Sequence, residues 1–276
     1  MLGRALDTWW EELGRPDPYV VVDAGTGPGT LARQLAAVEG PSAAARTVVG
    51  YDHADEPPEL SGAVVLANEL LDNLPFRVVE RTEWGWVEWW VDTGPAGPER
   101  RLVRPPSGGE DAAAEPAGSV AAALDALDPP LPVGATAPVL ERAADWVADV
   151  VARGAARVLV FDYGAATTAE LARRGGWLRT YRSHERGEDP FREPGRWDIT
   201  TDIAVDQLPP PAVVTTQAAF LREHGIDELV EEGRRAWAAA AARPDLRAMR
   251  MRSRVNEAEA LLDHDGLGGW LCLRWG

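Results

Sequence analysis

The chain has 276 residues, 45% of them apolar and 26% charged, with a net charge of −16 and arginine in place of every lysine. This composition is ordinary for a globular fold, and no apolar run approaches the ~18 residues needed to cross a bilayer. The acidic balance, with no basic stripe to offset it, repels a phosphate backbone, so neither nucleic acid nor a membrane is an expected partner.

One cysteine, Cys272, permits no internal disulfide and no thiolate cage; in the strand-like run 271–274 it reads as a buried packing thiol. His53, His184, His224 and His264 show no metal-ligand spacing, so no metal is expected. The opening residues are acidic and aromatic, unlike a signal peptide, and the expected location is cytoplasmic.

In chain order, residues 2–13 have helical spacing, and the Gly14-Arg15-Pro16 break ends it. Residues 19–22 form a short apolar run of the kind found in buried parallel strands. A glycine-rich turn at 25–29 follows, and then Leu31, Leu35 and Val38 give the stripe of an amphipathic helix. Strands are expected at 47–51, ending at Asp52, and at 63–67, ending at Asn68 and Glu69. Residues 76–80 and 84–91 read as a hairpin or as adjacent strands. Trp84, Trp86 and Trp90 share one face of it, with Trp89 on the other, which suits either sheet packing or an aromatic cage. The Gly/Pro/Ala/Glu-rich stretch 92–118 reads as a long surface loop.

Val139, Ala143, Trp146 and Val150 mark a helix, 157–161 a strand, and Thr167-x-x-Glu170 a capping box. Residues 177–206 are polar and read as irregular. Helices are expected at 215–224, 227–242 and 253–263, and a closing strand at 270–275. Alternating strands and helices point to an α/β doubly wound sheet.

Two motifs could carry chemistry. The run VVDAGTGPGT at 21–30 places glycines where backbone can approach a ligand, at the carboxyl end of a strand and ahead of a helix N-terminus. A nicotinamide fingerprint wants glycine where Thr30 stands. Gly25-x-Gly27-x-Gly29, with Asp23 two residues earlier, suits adenosylmethionine better, Asp23 pairing with the ammonium of its methionine moiety. In the second motif, Glu69 and Asp72 would converge if 69–72 formed one helical turn. Such a pair could hold a guanidinium and accept its proton; the alternative is an Asn/Asp-capped turn.

The run LANELLDNLPFRVVE at 66–80 resembles the NE-x-x-D-x-LP motif of the MidA-like S-adenosylmethionine-dependent methyltransferases. The resemblance continues through WWEELGRPDPYVVVDAGTGPGTLA at 9–32, VLVFDYG at 158–164, LRTYRSHERGEDPFREPGRWDITTDI at 178–203 and TTQAAFLREHGI at 215–226. It implies a Rossmann-like class I methyltransferase sheet with an extra α+β subdomain, S-adenosyl-L-methionine as cofactor, and a protein substrate. The best understood member dimethylates an arginine of a respiratory-complex subunit.

Carried over residue by residue, the resemblance implies Asp23, Gly25, Gly27, Gly29, Asp52 and Asn68 for the cofactor and Glu69 and Asp72 for catalysis. On the substrate side it implies Tyr163, His184, Asp198 and Thr200. His184 could equally be structural, and Asp198 and Thr200 could close a loop. The implied organisation is a cofactor-binding half at 1–91, a variable insert at 92–135, and the remaining sheet with a substrate subdomain at 136–276.

Two departures stand out. The family's glycine-aspartate-phenylalanine…proline-glutamate stretch does not precede the first helix here. Only eleven residues separate Asp52 from Val64, where the family has a helix and a short strand. These departures motivate a second reading, a weak or inactive cofactor-binding assembly factor. A nicotinamide oxidoreductase is a third, disfavoured by Thr30.

Overall fold

The computed structural model describes residues 1–53, 55–94, 97–103, 116–182, 185–187, 189–191, 193, 195–240 and 245–276. They divide into two compact units, one built from 1–68, 150–161 and 211–276, the other from 69–149 and 162–210.

The first unit holds the α/β sheet expected from the alternation of strands and helices. Its six strands run in the spatial order Val213–Thr216, Leu271–Trp275, Arg157–Asp162, Val64–Asn68, Tyr19–Ala24, Arg46–Tyr51. Tyr19–Ala24 pairs in parallel with both Arg46–Tyr51 and Val64–Asn68, and Val64–Asn68 with Arg157–Asp162. Parallel strands are covered on both faces, which is why they read as unbroken apolar runs. Val21, Val22, Val64, Val65, Val158 and Val160 are all buried accordingly. Helices Leu2–Glu12, Thr30–Ala37, Gln217–Glu223, Ile226–Ala240 and Leu246–Leu262 complete the unit. Leu6, Trp9, Tyr19, Phe161, Phe220 and Val255 share its core, where the Tyr19 hydroxyl donates to the Leu6 carbonyl at 3.0 Å. Cys272 is buried there too.

The helix expected at 253–263 begins earlier, because the Asp245 carboxylate accepts from the Ala248 amide at 2.7 Å and caps a helix from Leu246. Between Asp52 and Val64 the described residues form neither helix nor strand. No helix among the described residues is long and apolar enough to cross a membrane.

The second unit is mainly antiparallel. One sheet has the order Gly97–Val103, Gly85–Gly94, Arg77–Thr82, Thr136–Val139, and a smaller one the order Glu185–Gly187, Leu178–Arg182, Asp198–Thr201. Gly164–Ala165 pairs in parallel with Ile203–Ala204. Helices Pro116–Asp125 and Thr168–Arg174 pack with the larger sheet around Val79, Trp86, Leu124, Ala137 and Ala172. The Thr167 hydroxyl accepts from the Glu170 amide at 3.2 Å, one of the two bonds of a capping box.

Three expectations are corrected here. Part of the supposed loop 92–118 is the strand Gly97–Val103, paired with Gly85–Gly94. Its Arg100 lies 4.5 Å from the Trp89 ring and 3.1 Å from Glu80, contacts that offset weak strand propensity; residues 104–115 lie outside the described residues. Val139 closes a strand, and the helix after it is Glu141–Ala152. The polar stretch 177–206 carries, among its described residues, four short strands: one pair forms a local hairpin, and the other pairings reach across some twenty to forty residues. The tryptophans form no cage: Trp86 is buried in the core, and Trp84 is 76% exposed in the turn before its strand.

Candidate functional site

In the first unit the expected cofactor residues gather at the carboxyl edge of the parallel strands. Ala24 stands opposite both Tyr51 and Ala67, so Gly25, Asp52 and Asn68 each follow one residue beyond that row. The Gly25 and Thr26 amides both donate to the Tyr51 carbonyl, at 3.0 and 3.2 Å. Gly25, Gly27 and Gly29 have φ of 70°, 49° and 70°. A Cβ on Gly27 would meet nothing within 4 Å, so backbone conformation selects glycine there, and the space above it is open.

Asp23 is built into this loop. Its Oδ2 accepts from the Thr26 hydroxyl at 2.9 Å and the Ala32 amide at 3.1 Å. Burial raises its pKa, against the lowering effect of those two bonds. Asp52, at the end of the neighbouring strand, accepts from the Gly27 amide at 3.1 Å. The His53 amide and then the His53 ring hold its pKa below the ordinary value, so it is a charged carboxylate at the loop's edge. Gly50 was not expected to matter, yet a Cβ there would lie 2.6 Å from the Thr26 hydroxyl. The loop settles onto the second strand only because that position has no side chain.

In the second unit the carboxylate motif folds differently from the expected helical turn. Glu69 takes a left-handed backbone, φ 51°, and the tight turn covers only Leu71–Asn73. Positive φ at a non-glycine residue costs on the order of 1 kcal/mol and collects at functional sites. Asp72 is 1% exposed. Burial raises its carboxyl to about 6, with the Glu69 charge adding to the rise against a hydrogen bond from Tyr163. The two acids therefore do interact, across the turn rather than along a helix.

Asp162 is the brace beneath them. Fully buried, it accepts from the amides of Leu71 at 3.0 Å, Asp72 at 3.2 Å and Tyr163 at 3.0 Å. Burial first, and Asp72 second, push its pKa well up. The Tyr163 hydroxyl donates to Asp72 Oδ2, and burial with that bond raises the phenol's pKa. Asn73 Nδ2 donates to Asp72 Oδ1 at 2.8 Å and to the Glu69 carbonyl at 3.2 Å.

Of the expected substrate residues, Tyr163 joins this cluster directly. Thr200 is buried on Asp198–Thr201, the strand against which the 71–73 turn packs. Asp198 is exposed on the same face of that strand, and His184 lies outside the described residues. Arg179 went unnoticed in the sequence. Its guanidinium lies 4.6 Å from the Tyr163 ring centroid and, with Arg174, binds the buried Asp202. Two arginines on one buried acid fix the plate on which the Tyr163 ring rests.

Residues 34–222 match the family described as "Putative S-adenosyl-L-methionine-dependent methyltransferase". No curated protein matches. Two crystal structures of Burkholderia thailandensis proteins from one superfamily share the fold. One, bound to S-adenosyl-homocysteine, has a TM-score of 0.75 at 22% identity, over 99% of this chain and 74% of the other. The second, a native structure of an uncharacterized protein, has a TM-score of 0.77 at 22% identity, over 100% of this chain and 77% of the other. The family match covers more than half of the sequence, including the whole carboxylate motif, and the chain belongs to this methyltransferase family, the same one that the 66–80 run resembles.

Proposed function

We propose that the protein transfers a methyl group from S-adenosylmethionine to an arginine side chain of a protein partner. The observation that carries the arginine is the acid pair: Glu69 in a strained backbone, and Asp72 buried with its carboxyl raised to about 6. The protein context rests on the family resemblance.

The loop fits the cofactor. Gly27 leaves an open approach, Asp52 is a charged acceptor suited to ribose hydroxyls, and Asp23, on the family resemblance, would supply the counter-charge for the ammonium. When bound, the cofactor would supply an activated methyl on a sulfonium, a group that would leave as a neutral thioether with the C–S electron pair once a nitrogen takes the methyl. Glu69 pairs with the guanidinium charge. Asp72, with a pKa near neutrality, takes the proton that the attacking nitrogen gives up. Tyr163 and Asn73 donate to different oxygens of Asp72 and fix the orientation of its carboxylate.

A second reading, a cofactor-binding factor without turnover, is favoured by the short segment 53–63, whose described residues supply neither helix nor strand to an adenosine wall. Incubation with labelled S-adenosylmethionine and an extract of the native host separates the two. Methylarginine found by mass spectrometry supports the enzyme. Tight cofactor binding with no labelled protein supports the binding factor.

Two further outcomes bear on the loop. S-adenosyl-homocysteine at 100 times its Kd should stabilise the protein by about 2.7 kcal/mol in thermal unfolding, and NAD should not. The reverse pattern would end the methyltransferase reading. Gly50→Ala should weaken S-adenosyl-homocysteine binding about tenfold by calorimetry, because the added methyl displaces Thr26 from Asp23. Unchanged affinity would mean that Thr26 plays no part in holding the loop.

A further inference from the structure

An apolar cavity of about 410 Å³ opens in the second unit beside the turn that carries Asp72. Leu74, Phe76, Leu178, Phe191 and Ile199 wall it with Trp89. Asn73 belongs to both features: it lines the cavity, and its amide bridges Asp72 and the Glu69 carbonyl. The cavity thus begins one residue from the buried acid.

The wall is preformed. Trp89 donates through Nε1 to Glu80 at 2.8 Å, carries Arg100 on its face, and lies 6.2 Å from the Phe191 ring. At the rim, Val91 and Ile199 remain 62% and 41% exposed, apolar surface that a ligand would cover. Carboxylates at one end and an aromatic-aliphatic hollow at the other match a cation joined to a bulky apolar group. The net charge of −16 draws cationic partners and repels anionic lipid surfaces.

We propose that this cavity seats an aromatic or large aliphatic side chain of the acceptor protein, within a few residues of the methylated arginine. The protein would then read arginine together with an apolar neighbour. The assignment rests on the arginine reading above and deepens it.

The probes are fluorescein-labelled seven-residue glycine-serine peptides with a central arginine. Each carries phenylalanine or alanine at one of the six flanking positions. Anisotropy titrations use the full chain saturated with S-adenosyl-homocysteine. At one or two positions phenylalanine should tighten Kd tenfold or more, the scale of burying one such ring. Ile199→Asp and Phe191→Ala should each level the phenylalanine and alanine peptides, with thermal melts to confirm folding. Equal affinities at every position, no binding by any peptide, or a preference that survives both variants would overturn the proposal.

Methyl transfer separates this assignment from the reading beneath it. A phenylalanine preference with no transfer to any peptide refutes arginine methylation and leaves the cavity standing. Transfer with equal kcat/KM for both peptide sets refutes the cavity and leaves arginine methylation standing.

Discussion

Glu69→Gln and Asp72→Asn should each slow single-turnover methyl transfer by on the order of 10²-fold or more, with affinity for S-adenosyl-homocysteine largely retained. A guanidinium keeps its proton near neutral pH, so a nitrogen becomes nucleophilic only if a base helps that proton leave. Asp72 is placed for this: desolvation lifts it from 3.8 to about 6, with the Glu69 charge adding to the lift. The wild-type rate should therefore rise as pH climbs through about 6, and the asparagine variant should lose that limb.

The same shift has a counterpart in stability. Between the ordinary carboxyl value and about 6, the folded protein holds a proton on Asp72 that the unfolded chain has released. The group's stabilising contribution is complete below about pH 4 and is lost as pH rises through 6. Asp72→Asn should melt later relative to wild type at pH 8 than at pH 4. If the wild type methylates a partner and both variants match its rate, the pair is only a turn.

Asp162→Ala should destabilise the protein by about 3 kcal/mol or more in urea unfolding. Three buried amides, those of Leu71, Asp72 and Tyr163, lose their acceptor, and each stranded donor costs about 1–3 kcal/mol. Relief of a buried carboxyl offsets part of this sum, since burial already pushes Asp162 well up. Asp162→Asn keeps one oxygen, enough for the Leu71 and Asp72 amides that share Oδ2, and should lose about 1 kcal/mol. Equal midpoints for wild type and the alanine variant would show that the turn stands without its brace.

The parts of the fold legible in the sequence are those whose burial follows a local pattern. Apolar runs at 20–22, 64–67 and 158–161 announce the parallel strands because both faces of the sheet are covered. Leu178–Arg182 and Asp198–Thr201 announce nothing. Their buried residues are threonines, Thr180, Thr200 and Thr201, and what makes them strands is pairing with each other. The acid pair was legible as residue types, but its geometry was not. The left-handed Glu69 has no glycine or asparagine to signal it, and the acceptor holding its turn lies some ninety residues on, at Asp162. Gly50 was silent for a related reason: its lack of a side chain matters only once Thr26 is folded against it.

The strand order of the six-stranded sheet also sets the order in which the sheet can be completed. Leu271–Trp275 lies between Val213–Thr216 and Arg157–Asp162, strands synthesised well before it. During translation the Arg157–Asp162 strand can pair with Val64–Asn68 on one side, while its other edge waits, unpaired, for the ribosome to deliver residues 271–275. An open apolar edge of this kind recruits other chains. A chain stopped at Gly269 should accordingly collect in the insoluble fraction even though both acids and the whole glycine loop are present in it.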